Sequence, residues 1–425
     1  MNSKRAAAAL ALALAAPGAA FATNGYFSHG YGMKAKGMAG AGIALPQDAL
    51  AAATNPAGMA LVGSRMDFGA DVFAPRRGGE IVGNVGVPSF NVPPLNGSYN
   101  GDGRDTFLIP EFGYNRMINP NLSVGLAMYG NGGMNTTYRA SPFAMMGGSS
   151  PAGVDLSQLF IAPTVAWRVN ADHAIGASLN FAYQRFSADG LEPFGAFGLS
   201  SAPGSLTNRG HDGATGWGVR VGWNGRLNDM VSMGATYQTK TRMGRFDKYA
   251  GLFADQGDFD VPANYGVGIA IRATPALTIA VDVQKIEYSG INSVGNSIVS
   301  LFGGKLLGST DGPGFGWRDM TVFKLGASYQ VNPGLTVRGG LSTGRQPVPA
   351  GETFFNVLAP GVVENHLTLG ATWQLGGGRE LSVAYMHAFN KNVNGSNSIP
   401  PNFGGGEMNV RLRENSIGVS YGMKF

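Results

Sequence analysis

The 425-residue chain contains 67 Gly, 23 Pro and no Cys, with 44% hydrophobic and only 13% charged residues and a net charge of +5. Ordinary soluble domains carry about 25% charged residues and about 7% Gly, so an ordinary soluble fold is excluded, while 24 Phe, 14 Tyr and 5 Trp exclude disorder. Disulfides and thiolate metal sites are impossible without Cys, and no run or stripe of Lys and Arg is present to bind nucleic acid.

Residues 1–22 read as a cleaved export signal. Lys4 and Arg5 make a charged leading region, Ala6 to Ala16 is an apolar run of 11 residues, and Ala20-Phe21-Ala22 fits the A-x-A cleavage rule. The run is shorter than the roughly 17 residues a spanning helix needs. The exported chain is expected to begin near Thr23.

Residues 23–63 show no alternation. They are rich in Gly and Ala, with a short helix-prone run from Gln47 to Ala53 that must end before Pro56, because the residue preceding a proline is pushed out of the helical region. The segment is too long for a tail and too small and apolar for a soluble domain. It reads as a plug, or hatch.

From residue 64 to 425 the chain is a train of period-two segments, the strand pattern. Leu367, Leu369, Ala371, Trp373 and Leu375 alternate with His366, Thr368, Gly370, Thr372 and Gln374, and Ile417, Val419, Tyr421, Met423 and Phe425 alternate with Ser416, Gly418, Ser420, Gly422 and Lys424. Fourteen strands are predicted, at 64–75, 104–116, 121–131, 156–169, 173–187, 213–226, 230–243, 262–273, 276–289, 318–331, 335–345, 363–375, 380–390 and 409–425. A soluble β-sandwich also alternates, so the links decide. Tight turns such as Asn332-Pro333-Gly334 alternate strictly with long loops such as 188–212 and 290–317. Even strand number with short turns at one end and long loops at the other is the pattern of an outer-membrane barrel. The expected fold is therefore all-β: a 14-stranded antiparallel transmembrane β-barrel with an N-terminal hatch inside the lumen. Phe425, closing the last strand on the outward face, is the candidate assembly signal.

The third strand sets Leu122, Val124, Leu126 and Met128 outward and then enters Tyr129-Gly130-Asn131-Gly132-Gly133. Three glycines in four positions weaken pairing and permit a bend; a gate in the wall and a loose strand end are both open readings. The long loops carry an unusual apolar load: Phe194 and Phe197; Phe246, Tyr249, Leu252 and Phe253, the last four at helical spacing; Leu301 and Phe302. Exposed apolar patches mark binding sites, so these are candidate capture residues, the alternative being a lid in which loops pack on one another. A carboxylate ligand would need a cationic end to its pocket, for which Lys324, facing the lumen like Arg272, and Arg318, at a strand end, are candidates. The chain lacks G-x-S-x-G, H-E-x-x-H and Walker motifs and its five His are scattered. No catalytic residue, metal or cofactor is expected.

Several stretches resemble one family. TNGYFSHGYG, KGMAGAGIAL, Asn55-Pro56-Ala57, Gly316-Trp317-Arg318-Asp319 and Pro347-Val348-Pro349 are similar to the long-chain fatty-acid transporter (FadL) family, including its aromatic-hydrocarbon members. The resemblance spans the exported chain, specific in the hatch and at 316–349 and weak in the loops. It implies a hatch-plugged 14-stranded barrel that moves hydrophobic molecules passively: capture between external loops, an internal pocket, and sideways exit through an inward kink of the third strand. Asn55, Pro56 and Ala57 with Gly130, Asn131, Gly132 and Gly133 then become the hatch and gate candidates. The implied partners are fatty acids, hydrocarbons or bound detergent, outer-membrane lipid and the barrel-assembly machinery, for a chain acting as a monomer. A polar-solute porin and a lipid-active outer-membrane enzyme remain as alternatives.

Overall fold

The computed structural model describes residues 23–425, so the expected export signal lies outside the described residues. Fourteen antiparallel strands form the wall: β1 (Arg65–Val82), β2 (Phe107–Asn119), β3 (Leu122–Tyr138), β4 (Ala152–Arg168), β5 (His173–Asp189), β6 (Asp212–Arg226), β7 (Val231–Gln238), β8 (Asn264–Arg272), β9 (Leu277–Ile286), β10 (Met320–Asn332), β11 (Leu335–Gly344), β12 (Asn365–Gly376), β13 (Arg379–Val393) and β14 (Glu407–Lys424). Each pairs with the next, and β14 returns to β1 in continuous register from Lys424↔Arg65 to Glu407↔Val82, which closes the cylinder. A closed ladder satisfies the backbone in lipid without any edge. No helix among the described residues is long and apolar enough to cross a membrane.

The alternation of the sequence becomes the two faces of this wall. On β12, Leu369 is 55% exposed and Thr368 is fully buried; on β14, Ile417 is 61% exposed and Ser416 is buried. Phe425 is exposed on the outer face, stacked on Tyr114 of β2, and its N–H donates to the Ser64 carbonyl. The six tight turns and seven long loops fall where the pattern places them. The largest departures from the predicted bounds are at the ends of two strands. β1 continues to Val82 instead of stopping at residue 75. β3 continues through its glycines to Tyr138 instead of ending at 131, because Asn131 is absorbed as a bulge between Gly130 and Gly132 in the pairing with β4.

Residues 23–63 fill the lumen and are almost entirely buried. They comprise a minimal hairpin (Thr23–Asn24 with Phe27–Ser28), one helical turn Met33–Lys36, and two 3-10 turns, Ala49–Ala53 and Pro56–Ala60. The helix-prone run thus forms a 3-10 turn, and it stops before Pro56 as the proline requires. The inward glycines of the wall have a specific use here. A Cβ on Gly222 of β6 would stand 1.9 Å from Asn55 Oδ1 and 2.9 Å from Pro56, and one on Gly340 of β11 would stand 2.5 Å from the Met38 backbone. The hatch lies so close to the wall that side chains have no room.

This contact makes a paired test. Gly222→Ala should turn the Asn55 side chain out of its hydrogen bonds, at about 1–3 kcal/mol per unmade buried bond. Gly339→Ala, whose added carbon would meet nothing nearer than 3.8 Å, should be neutral. Midpoints of heat-induced unfolding of the detergent-purified barrel, followed by gel mobility, should fall for the first and not for the second.

Candidate functional site

The hatch is held from both ends by polar groups that the wall turns inward. Asn55 is the central clamp: its Oδ1 accepts from Ala57 N–H (3.2 Å) as an N-cap, and its Nδ2 donates to the carbonyls of Ile43 in the hatch and Trp223 in β6, both at 2.8 Å. Asp282 of β9 accepts from the Gly42 and Ile43 N–H groups, at 2.8 and 3.0 Å, and Thr368 of β12 accepts from Ala39 N–H at 2.8 Å. Lys36 pairs with Asp71 of β1 at 2.8 Å and with Glu111 of β2 at 3.8 Å. Lys34 pairs with Glu380 of β13, which also holds Arg65. Burial alone would lower the Lys36 pKa, yet Asp71 and Glu111 outweigh it and hold the pKa above the usual lysine value, so the ammonium persists inside the lumen. Burial drives Asp48 up to about 6, with Asp67 adding to it. His29 is buried and stacked on His366 at 6.0 Å; burial, His366, Lys36 and Lys324 lower its pKa well below the usual value, so it is neutral.

The wall is incomplete at one place. β3 pairs with β2 only from Asn119↔Leu122 to Phe112↔Met128. Beyond that, Phe107–Glu111 of β2 keep β1 as their neighbour, while β3 follows β4 around the Asn131 bulge. Ten consecutive residues of β3, 127–136, are buried, so its alternation is lost where it leaves the wall. Pro110 lies in the unpaired stretch of β2, at an edge where proline is tolerated. The hatch fills the breach. Phe27 pairs with Gly132, and Gly133 N–H donates to the Tyr26 carbonyl at 3.0 Å. A Cβ on Gly132 would stand 2.0 Å from that carbonyl, so only glycine admits this approach. Tyr31 Oη donates to Asn131 Oδ1 (3.1 Å), Asn131 Nδ2 to Gln158 Oε1 (3.1 Å), Gln158 Nε2 to Gln184 Oε1 (3.2 Å), and Gln184 Nε2 to the Phe259 carbonyl (2.9 Å). This relay joins the hatch, the bulge and the loop cap.

Above the hatch, the apolar loop residues pack inward against one another. Phe194, Phe246, Tyr249, Leu252, Phe253 and Leu301 are buried, and Phe197 and Phe302 are half-buried against them. Phe186 of β5 meets Phe253 at 4.6 Å and Tyr249 at 4.8 Å, and Phe403 gathers Phe194, Phe197, Phe302 and Phe354. The helix suggested by the spacing at 246–253 is a single 3-10 turn, Asp247–Tyr249, and Phe246, Tyr249 and Phe253 all converge on Phe186. The two cationic candidates part company. Lys324 is buried beside Asp282, its Nζ donating to the His29 carbonyl (3.0 Å) and Gln284 Oε1 (3.1 Å), whereas Arg318 is exposed at the rim before β10 begins. Arg272 is exposed at the turn end of β8.

The sequence did not single out the residues that occupy the breach. Tyr26, Phe27 and Tyr31 lie in TNGYFSHGYG, and Tyr26 sits among Phe259, Tyr288 and Trp317 with ring centroids 5.2 to 6.1 Å away. Nor did the sequence single out the inward carboxylates Asp71, Glu111 and Glu380, although strand parity is the signal that places each of them on the buried face.

The chain matches, over residues 9–425, the profile of the outer membrane protein transport protein (OMPP1/FadL/TodX) family. Among solved structures it is similar to the Pseudomonas putida toluene transporter TodX (16% identity, TM-score 0.70, 93% of this chain and 99% of that chain). It is also similar to a Pseudomonas aeruginosa FadL homologue (17%, 0.72, 94% and 100%) and to the Ralstonia pickettii toluene transporter TbuX (18%, 0.64, 93% and 99%). No curated protein matches by sequence comparison. At these identities the structural likeness speaks for the fold, and the profile speaks for the family. A closed 14-stranded barrel with a lumenal plug and a family match along nearly its whole length lead to one conclusion: the chain belongs to the OMPP1/FadL/TodX family of outer-membrane transport proteins.

Proposed function

We propose that this barrel carries small hydrophobic molecules, hydrocarbons or long-chain fatty acids, passively across the outer membrane as a monomer, without a catalytic step. The observation that carries the reading is the breach between β2 and β3, where the hatch residues Tyr26 and Phe27 pair with Gly132 and Gly133 and Tyr31 bonds to Asn131. An apolar solute has no reason to enter the polar lumen, where Asp282, Glu380 and Lys36 grip the hatch. It does have reason to pass through the aromatic cap, where Phe186, Phe194, Phe253 and Phe403 already form an apolar interior. From there the bend at Gly130, Asn131, Gly132 and Gly133 leads sideways toward lipid, once Phe27 withdraws. Asn55, Pro56 and Ala57 hold the far end of the hatch fixed, so a small movement of the leading residues is enough. Toluene is named for TodX and TbuX, and a neutral solute suits this chain because Lys324 is already engaged by the hatch and by Gln284.

Deleting Asn131 removes the extra residue of the bulge and lets β3 continue in register toward β2. Uptake of radiolabelled toluene or oleate by cells should then fall at least ten-fold at unchanged surface abundance; unchanged uptake would refute sideways exit.

Ion conductance separates this reading from a polar-solute porin. The wild-type barrel should pass almost no current in planar bilayers, whereas Asn55→Ala, which removes the clamp to Ile43 and Trp223, should show frequent openings. A steady large conductance of the wild type would favour the porin.

A further inference from the structure

The leading end of the hatch meets β14 at one side chain. Glu414 is 2% exposed, and both its oxygens are taken by Thr23: the N–H donates to Oε2 and the hydroxyl to Oε1, each at 3.0 Å. Neither donor is charged while residue 23 is joined to residue 22. Arg77 of β1 lines the same small cavity as Thr23 and Glu414, but its Nη2 donates to the carbonyls of Gly101 and Arg104. A buried carboxylate met at hydrogen-bond distance by neutral donors is costly, and an ammonium hydrogen-bonded to it offsets part of that cost.

We propose that Glu414 is the receiving site for the chain's own processed amino terminus, cleavage after Ala22 turning the Thr23 amide into an α-ammonium that pairs with this carboxylate inside the lumen. An export peptidase adds water across the Ala22–Thr23 bond. Ala22 leaves as a carboxylate, and Thr23 keeps the nitrogen, which takes up a proton at neutral pH because a free α-amine has a pKa of about 7.7–8.0. The geometry needs no rearrangement, since the nitrogen already lies at hydrogen-bond distance from Oε2. The pair would fix the hairpin that closes the breach: Thr23 is the register partner of Ser28, and Asn24 is the partner of Phe27, which in turn pairs with Gly132. The same cavity is walled on its far side by Gly133, Met134 and Asn135 of β3. Removal of the export signal and closure of the wall thus become one chemical event.

The test uses the full processed barrel, purified from outer membranes in detergent and acetylated at neutral pH with an amine-specific reagent. Mass spectrometry of the N-terminal peptide reads the extent of labelling. The chain should begin at Thr23, and its α-amine should react at least ten-fold more slowly than in the urea-unfolded protein. Glu414→Gln should raise the rate at least five-fold. An alanine inserted between Ala22 and Thr23 shifts the charge by about 3.8 Å without touching the barrel, should do the same, and carries the test if the glutamine variant does not fold. A chain beginning elsewhere, a wild-type amine that reacts as fast as in urea, or full protection retained after the insertion would overturn the proposal. None of these readouts involves uptake, so the inference stands or falls apart from the transport reading.

Discussion

Every backbone N–H and carbonyl that crosses the hydrocarbon region must find a partner within the protein, since lipid offers none. This constraint explains both the regular part of the structure and its exception. Thirteen neighbouring strand pairs and the β14–β1 seam discharge it by ladder. At the upper part of β2 and β3 the ladder stops, and the debt falls on a piece of chain that is not a strand of the wall at all: Phe27 and the Tyr26 carbonyl serve Gly132 and Gly133. A breach that costs nothing while the hatch is seated, and exposes unpaired backbone once it leaves, has a built-in restoring force. In the transport reading proposed above, this would close a passive conduit without an energy source.

The lumen obeys a second, related rule. A 14-stranded cylinder is too wide to fill with wall side chains alone, so it is filled with backbone, and backbone needs both room and partners. Room comes from inward glycines such as Gly222 and Gly340, where the hatch lies within van der Waals reach of the wall. Partners come from inward Asp, Thr and Glu side chains, which accept from hatch N–H groups or neutralise Lys34 and Lys36, and from inward Asn115, which donates to the Met59 and Gly63 carbonyls. The low charge and high Gly content of the chain are two faces of one requirement: grease outside, and a tight polar grip inside.

The strands were legible because lipid on one face and a plug on the other impose period two without interruption, as Leu367 to Leu375 and Ile417 to Phe425 illustrate. The hatch was legible by default, being the stretch without that period. The end of β3 was not, because between Ala127 and Thr136 neither face meets lipid or water, and a strand covered on both sides has no alternation to read. The glycines there flagged a bend, but only the paired structure distinguishes a bulge from a strand end. The loop aromatics were legible as apolar, with capture residues and a self-packed lid both open, since hydrophobicity in sequence does not say whether Phe246 and Phe253 face solvent or each other. Lys324 faces the lumen. Its engagement with His29 rests on a contact 295 residues distant, which no local pattern encodes.

That distance is general in the hatch. Residues 23–43 find their partners on Asp282, Thr368, Glu380 and Glu414, up to 391 positions later, and on Asp71 of β1 across the seam from Gly418. Thr23 holds β14 and Lys36 holds β1, so the plug staples together the first and last strands of the cylinder. Contacts of such high contact order form late, because loop closure must come before they reward it. On this argument the hatch would dock after the cylinder closes, adding to a seam that the β14–β1 ladder already joins. A barrel of this design would reach its final stability in a slow terminal step that follows insertion, visible as a lag between the appearance of sheet and the acquisition of resistance to unfolding.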